Sequence, residues 1–144
     1  CFPAHAESNV ILGADLFIGG AAAIRHWDLH PFGGLDVPRY FEMIDFMVYF
    51  TAPTWRESFG RVLAEAIAAG KVVISDPGTA AAFGGGVIAA APKDVDTIVS
   101  QFLRSPEQYQ EHVTMAQSKL RSFAPERFRD HFLSIMAHQS GGQP

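Results

Sequence analysis

Two glutamates near the middle of the chain are spaced so that they could bind one ligand together. Glu57 and Glu65 are separated by seven residues, and the segment between them reads Ser-Phe-Gly-Arg-Val-Leu-Ala. Carboxylates accept hydrogen bonds, which suits them to the hydroxyl groups of a sugar. The backbone N–H groups of Ser58, Phe59 and Gly60 would be free at the start of a helix, where they favour an anion such as a pyrophosphate. A diphosphate between two hydroxyl-bearing rings is a nucleotide sugar, and this is the ligand that the segment predicts.

The segment 58–69 predicts the helix that positions these groups. Ser58 can cap the helix, Gly70 can end it, and Ala and Leu favour it internally. Its apolar side chains recur at helical spacing while its opposite side carries few charges, so most of the helix should be covered. Glu65 would then lie near the core, with either of two partners: Arg61 in an i,i+4 ion pair, or a ligand hydroxyl.

The elements around this helix predict alternating strands and helices. Apolar segments predict strands at 10–17, 27–30, 46–50, 71–75 and 87–91. Helical spacing predicts further helices at 37–44, 93–104, 106–121 and 125–136. Segment 46–50 is apolar on both faces, as in an interior parallel strand, and Asp76-Pro77-Gly78 predicts a turn. The alternation favours one α/β domain over 1–139, with a parallel sheet flanked by helices, followed by a flexible tail at 140–144. Open parallel sheets bind ligands at the carboxyl ends of their strands.

The two glutamates and the residues that follow them resemble a known enzyme family. Glu65 is followed by Ala-Ile-Ala-Ala-Gly-Lys-Val-Val-Ile, and the whole segment is similar to the E-x7-E motif of retaining GT-B glycosyltransferases (the group 1 family). Phe32-Gly33 after a strand, a short helix, and Asp45 before the next strand are also similar to that family. The resemblance covers about residues 10–137. It implies a Rossmann-like parallel sheet that forms the C-terminal, donor-binding half of a GT-B fold.

The resemblance also implies functional roles for individual residues. The implied donor-binding residues are Glu57, Ser58, Phe59, Gly60, Arg61, Glu65, His30 and Phe32. Glu57 would be the catalytic residue and contact hydroxyls of the donor sugar, and Glu65 would bind the ribose hydroxyls. The loop that holds His30 and Phe32 would lie near the nucleobase. The family transfers a glycosyl group with retention of configuration. It needs no metal or other cofactor, because a helix dipole and basic side chains neutralise the departing diphosphate.

The chain departs from the family pattern in its first part. We find no earlier strand–helix unit with a Gly-Arg segment and a lysine that grips the diphosphate, and Arg25, Arg61 and Lys71 are the nearest substitutes. The first residue is Cys1, so we expect a domain truncated at its N-terminus. The N-terminal acceptor domain would be a missing partner, and the chain alone should be inactive. Two alternatives are a non-catalytic nucleotide-sugar-binding module and an incomplete Rossmann-like domain that forms homo-oligomers through an exposed sheet edge.

Composition and charge argue against several other classes of protein. The net charge of -4 gives no basic footprint for nucleic acid. The single cysteine excludes an internal disulfide, and the six histidines form no H-E-x-x-H motif, so we predict no metal site. The chain has no run of about 18 apolar residues, so the sequence predicts no membrane span. It also has no G-x-G-x-x-G motif, so a dehydrogenase is not predicted. We expect a cytoplasmic protein, with any peripheral attachment to the inner face of a membrane carried by other parts of a full-length protein.

Overall fold

Strands and helices alternate along the chain in the computed structural model, which describes residues 9–18, 27–52, 54, 60–127, 129, 130 and 133. The strands are β1 (Asn9–Leu12), β2 (Trp27–His30), β3 (Phe46–Tyr49), β4 (Val72–Ser75) and β5 (Ile88–Ala89). The helices are α1 (Val37–Glu42), α2 (Arg61–Ala68), α3 (Pro77–Ala80), α4 (Val95–Arg104) and α5 (Pro106–Leu120). Short 3₁₀ helices lie at Ala81–Phe83, Pro92–Asp94 and Arg121–Phe123.

The strands form two small parallel sheets. β1 pairs with β2, from Asn9 opposite Trp27 to Leu12 opposite His30. The second sheet has the order β3-β4-β5, and both of its pairings are parallel. The chain is therefore a mixed α/β protein with parallel sheets flanked by helices, as predicted, although the strands form two sheets where one was expected.

Strand β4 is the buried centre of the second sheet, and helices cover both of its faces. All four of its residues are buried. Val73 belongs to a cluster with Leu63 and Ile67 of α2 and with residues of α5, whereas Ile74 packs with Val95 and Val99 of α4. Successive side chains of a strand point to opposite faces, so this division places α2 and α5 on one face and α4 on the other.

Strand β3 differs from its predicted position. It lies at one edge of the sheet within the described part of the chain, and Met47 alone among its four residues is buried. The prediction of an interior strand was therefore wrong for β3. Its apolar residues contribute to the two helix layers instead, since Phe46 and Val48 pack toward α4 and Tyr49 packs toward α2.

Several elements differ from the sequence prediction at their boundaries, and three differences have an identifiable local reason. β1 ends at Leu12 instead of continuing to residue 17, because Gly13 turns the backbone with a φ of 84°. α2 begins at Arg61 instead of residue 58, because Gly60 has left-handed dihedral angles. Asp76-Pro77-Gly78 opens the short helix α3, since the Asp76 side chain caps it. Residues 125–127, 129, 130 and 133 are helical, and the rest of the predicted 125–136 helix and the 140–144 tail lie outside the described residues.

Side chains of helix α5 form hydrogen bonds with the end of α2 and with the residues that lead into β3 and β4. The Tyr109 hydroxyl donates to the carbonyl of Asp45 at 2.8 Å, with the carbonyl of Gly70 at 3.3 Å as a weaker second acceptor. Gln117 Nε2 donates to the carbonyl of Ala68 at 3.2 Å. The Tyr109 bonds hold the residues that lead into β3 and β4, and the Gln117 bond holds the C-terminal end of α2. None of the described helices is long and apolar enough to cross a membrane.

Candidate functional site

The candidate site begins at the turn that starts α2. Gly60 is the N-cap residue, with φ 68° and ψ 58°, and no side chain of the described residues caps the helix. Residues with a Cβ rarely adopt this left-handed conformation, which explains why glycine is found here. The first turn of α2 contains no acidic residue. The start of this helix therefore keeps the positive end of its dipole uncompensated by any described side chain.

The start of α2 lies on the side of the second sheet where its strands end. α2 packs on the sheet, and its last residues run directly through Gly70 into the amino end of β4. Its first residues must then lie toward the opposite end of the strands, the carboxyl end. This is the edge where ligands bind in open parallel sheets.

Arg61 and Glu65 form an ion pair on the outer side of α2. The distance from Arg61 Nε to Glu65 Oε1 is 3.2 Å, and the two side chains are 88% and 38% exposed. Glu65 is thus half-buried rather than near the core, and the ion-pair partner considered in the sequence is present. An exposed pair of this kind stabilises a helix by about 0.3–0.5 kcal/mol. A ligand hydroxyl could replace Arg61 as the partner of Glu65 at little cost.

The predicted nucleobase loop lies at the carboxyl end of the first sheet. The backbone N–H groups of Gly13 and Ala14 both donate to the carbonyl of His30 at 2.9 Å. The backbone N–H of Phe32 donates to Asp15 Oδ2 at 2.9 Å. These bonds join the loop after β1 to the loop after β2, and Phe32 remains 87% exposed. An exposed aromatic ring held by a fixed backbone can stack on a planar ligand.

His30 lies beside an acidic side chain on the same strand. Its Nε2 atom is 3.1 Å from Asp28 Oδ2. Nε2 is buried, and it has no hydrogen-bond partner among the described residues. Asp28 and His30 are two residues apart, so they lie on one face of β2.

The structure brings some of the predicted site residues together and leaves others apart. Gly60, Arg61 and Glu65 lie at the start and along the length of α2, whereas His30 ends a strand of the other sheet and Phe32 lies in the loop after it. Within the described residues, no hydrogen bond or ion pair joins the two groups. The other predicted residues, Glu57, Ser58 and Phe59, lie outside the described residues.

Asp15 is a contributor to this region that the sequence did not predict. Its carboxylate orders the second loop by accepting the N–H of Phe32, 17 residues away. Aspartate in a turn after a strand commonly accepts a backbone N–H, and that preference was the only signal in the sequence. Its partner could not be predicted, because it depends on the pairing of β1 with β2.

The polar residues at the carboxyl end of β4 serve the fold instead of the site. The buried Ser75 hydroxyl donates to the carbonyl of Tyr49 at 2.6 Å. Asp76 accepts from the Thr79 backbone N–H at 3.0 Å and from the Thr79 hydroxyl at 2.8 Å. The backbone N–H of Thr79 lowers the pKa of Asp76 more than any other group, because it stabilises the ionised carboxylate. These groups are already engaged within the protein.

The part of the chain that the structure describes contains no group of three or more side chains that could bind a metal ion. Comparison of the chain with models of known protein families, with curated proteins and with solved structures gives no match. The arrangement of the residues themselves is therefore the basis for any functional proposal.

Proposed function

We propose that this chain is the donor-binding portion of a retaining glycosyltransferase, the Rossmann-like C-terminal half of a GT-B fold. The start of α2 is the observation on which the proposal depends. A helix start at Gly60 that no described side chain caps lies near the carboxyl end of a parallel sheet, and the half-buried carboxylate of Glu65 follows five residues later. This arrangement suits a diphosphate next to a hydroxyl-bearing ring.

The layered arrangement of the second sheet supports the Rossmann-like part of the proposal. Helices cover both faces of β4, and its neighbours β3 and β5 are parallel to it. Parallel sheets covered on both faces are typical of doubly wound α/β domains. Sheet and helix order alone are shared by many functions, so the assignment to glycosyl transfer depends on the motif around Glu65.

In the proposed site, α2 would bind the nucleotide diphosphate at its start. The first N–H groups of the helix and the Arg61 guanidinium would hold the phosphate charge, and Glu65 would accept from the ribose hydroxyls. Phe32 and His30 would lie toward the nucleobase. Glu57 would contact the sugar, and the backbone of Ser58 and Phe59 would contact the diphosphate or the sugar. These three roles follow from the resemblance of the motif.

The proposed reaction transfers the sugar without a metal ion or other cofactor. The bond between the anomeric carbon and the diphosphate breaks, and a bond to the acceptor oxygen forms on the same face. The acceptor proton leaves with the diphosphate. The helix dipole and Arg61 would stabilise the negative charge that develops on the leaving group. We propose that an acceptor-binding domain is a necessary partner for this step, that nucleic acid is not a partner, and that the enzyme is cytoplasmic.

Calorimetric titration of the chain with UDP, GDP and their sugar conjugates tests the proposal. We expect one nucleotide to bind, and Glu65→Gln to weaken it at least tenfold, since a hydrogen bond to a charged group contributes about 1.5–3 kcal/mol. Glu42→Gln is the matched control, because Glu42 forms an equivalent exposed pair with Arg39 at 2.7 Å on α1. This control should bind nucleotide as the wild type does.

Two results of this titration would contradict the proposal. One is the absence of nucleotide binding at millimolar ligand, and the other is binding that Glu65→Gln leaves unchanged. Light scattering on the same samples distinguishes the second candidate function, self-association. That candidate is favoured by the exposed side chains of Leu16, Phe17 and Phe32 at the end of the two-stranded sheet. A chain that binds no nucleotide and forms defined oligomers would support it.

A further inference from the structure

A cleft lined by basic side chains lies at the end of α5, where the chain passes into the 3₁₀ helix Arg121–Phe123. We call it the basic cleft, and its lining residues are Ser118, Lys119, Arg121, Ser122 and Arg127. Its volume is about 370 Å³, which exceeds that of a phosphate or pyrophosphate ion. None of its residues belongs to the proposed donor site.

The charge of the basic cleft is unbalanced. Three of its five lining residues are cationic and none is acidic. Other exposed arginines of the structure, such as Arg39 and Arg61, have a carboxylate within 3.2 Å. Among the described residues, no carboxylate pairs with a cation of the cleft, and the neighbouring Asp130 lies beside Arg129. Three cations that line one cleft and have no carboxylate partner among the described residues favour an anionic ligand, in a chain whose net charge is -4.

The two serines of the cleft narrow the chemistry of that ligand. Ser118 Oγ donates to the carbonyl of Met115 at 2.6 Å, and Ser122 Oγ donates to the carbonyl of Lys119 at 2.7 Å. Their protons are used within the helix, so the cationic side chains supply the donors. Arginine presents a planar fork of N–H groups that matches the oxygens of a phosphoryl group. A ligand with several charged oxygens on one centre fits these donors.

The end of a helix offers a simpler explanation for two of the three basic residues, but not for the third. Cations near the last carbonyl groups of a helix interact favourably with its dipole. Arg104 occupies that position at the end of α4 and accounts for the effect with one side chain. In the basic cleft, Lys119 lies in the last turn of α5 and Arg121 is its C-cap residue, whereas Arg127 lies beyond the helix. The dipole of α5 gives no reason for Arg127 to face the same cleft.

We propose that the basic cleft binds a phosphoryl group, as free phosphate or pyrophosphate, as a phosphomonoester, or as the headgroup of an anionic phospholipid. This site would be additional to the donor site. The proposal does not depend on nucleotide-sugar binding, since it shares no residue with that site.

Titration with sodium pyrophosphate, followed by ¹⁵N-resolved NMR, tests the proposal. Saturable shifts should appear in the amide signals of residues 118–127. The double variant Arg121→Gln/Arg127→Gln should weaken binding at least tenfold, because two of the three cations are lost. Arg104→Gln is the matched control, an exposed arginine at a helix end outside the cleft, and its affinity should stay within twofold of the wild type. The urea midpoints of both variants show whether each is folded.

A second arm identifies the source of the phosphoryl group. Sedimentation with phosphatidylglycerol vesicles, compared with phosphatidylcholine vesicles, distinguishes a lipid headgroup from a free ion. Binding of either probe that the double variant loses supports the cleft. Binding of neither probe, or shifts of residues 118–127 and vesicle binding that the double variant retains, would overturn the proposal. Failure of the donor-site proposal has a different signature, since nucleotide binding would be absent or unchanged by Glu65→Gln while the 118–127 shifts with pyrophosphate remain.

Discussion

The two glycines at the ends of α2 provide a direct test of the site. Gly60 and Gly70 both have left-handed backbone conformations, with φ 68° and φ 76°. Gly60 precedes the helix where we propose the diphosphate binds, whereas Gly70 follows it at the opposite end. Substituting each by alanine imposes the same backbone cost at two distances from the ligand. Differences in ligand affinity between the two variants therefore report on the position of the site.

The expected loss of stability follows from the backbone. A left-handed conformation costs a residue with a Cβ about 1–2 kcal/mol. Alanine recovers about 0.4–1 kcal/mol of this by restricting the unfolded chain, so the net loss should be about 1 kcal/mol. At Gly70 nothing adds to this value, since a Cβ would lie 3.8 Å from Gln117 Nε2 and Val113 Cγ1, an ordinary contact distance. Urea denaturation measures the free energy of unfolding of both variants.

The two variants should differ in nucleotide affinity. Gly60→Ala adds a methyl group where the phosphate would approach the backbone, and we expect at least a tenfold rise in the Kd measured by calorimetry. Gly70→Ala should leave the Kd within twofold of the wild type. Gly60→Asn should recover part of the stability, because asparagine tolerates the left-handed region, but should still bind weakly. Equal changes in Kd for Gly60→Ala and Gly70→Ala would refute the proposed position, and an undiminished stability of Gly60→Ala would refute the turn.

Two further predictions concern pH and helix capping. Burial lowers the pKa of His112, and its Nε2 has no hydrogen-bond partner among the described residues. The pKa of His112 in the folded state is below its unfolded value of about 6.5, so folding favours the neutral imidazole. The stability that the neutral imidazole contributes is complete above the unfolded pKa and is lost as the pH falls through the folded pKa. Urea unfolding at pH 7 and pH 5 should show a smaller loss for His112→Gln than for the wild type, and an equal loss would contradict this. Asp76→Ala should cost about 1–2 kcal/mol through loss of the α3 cap, measured at pH 7, while Asp76→Asn should cost less; equal costs would argue against capping.

Much of the secondary structure could be predicted from the sequence, because its signals are local. α5 begins at Pro106 after the capping residue Ser105, as those residue types predict, and α2 ends where Gly70 indicates. Asp76 shows the limit of such signals. Aspartate before Pro-Gly is compatible with a turn and with a helix start, and the choice depends on packing of Thr79 and Ala80 into the core.

The arrangement of the strands could not be predicted in the same way. Apolar β-branched residues predicted β3 as a strand, but its edge position depends on which strands pair with it. The division into two sheets depends on the same non-local pairing. In the candidate site, the sequence identified Arg61 and Glu65 as neighbours on one helix, as the structure confirms. The left-handed turn at Gly60 and the bond from Phe32 to Asp15 depend on tertiary contacts that residue types do not specify.

The hydroxyl of Tyr109 has a consequence for how the chain folds as it is synthesised. It is 64 residues from Asp45 and 39 residues from Gly70 in sequence. The β3-α2-β4 unit is therefore complete well before the side chain that ties its amino ends together has been added. Contacts between residues so distant in sequence slow folding, because a long loop must close first. During synthesis this unit would at first lack the hydrogen bonds of Tyr109. The native arrangement would form fully only after α5 has been synthesised.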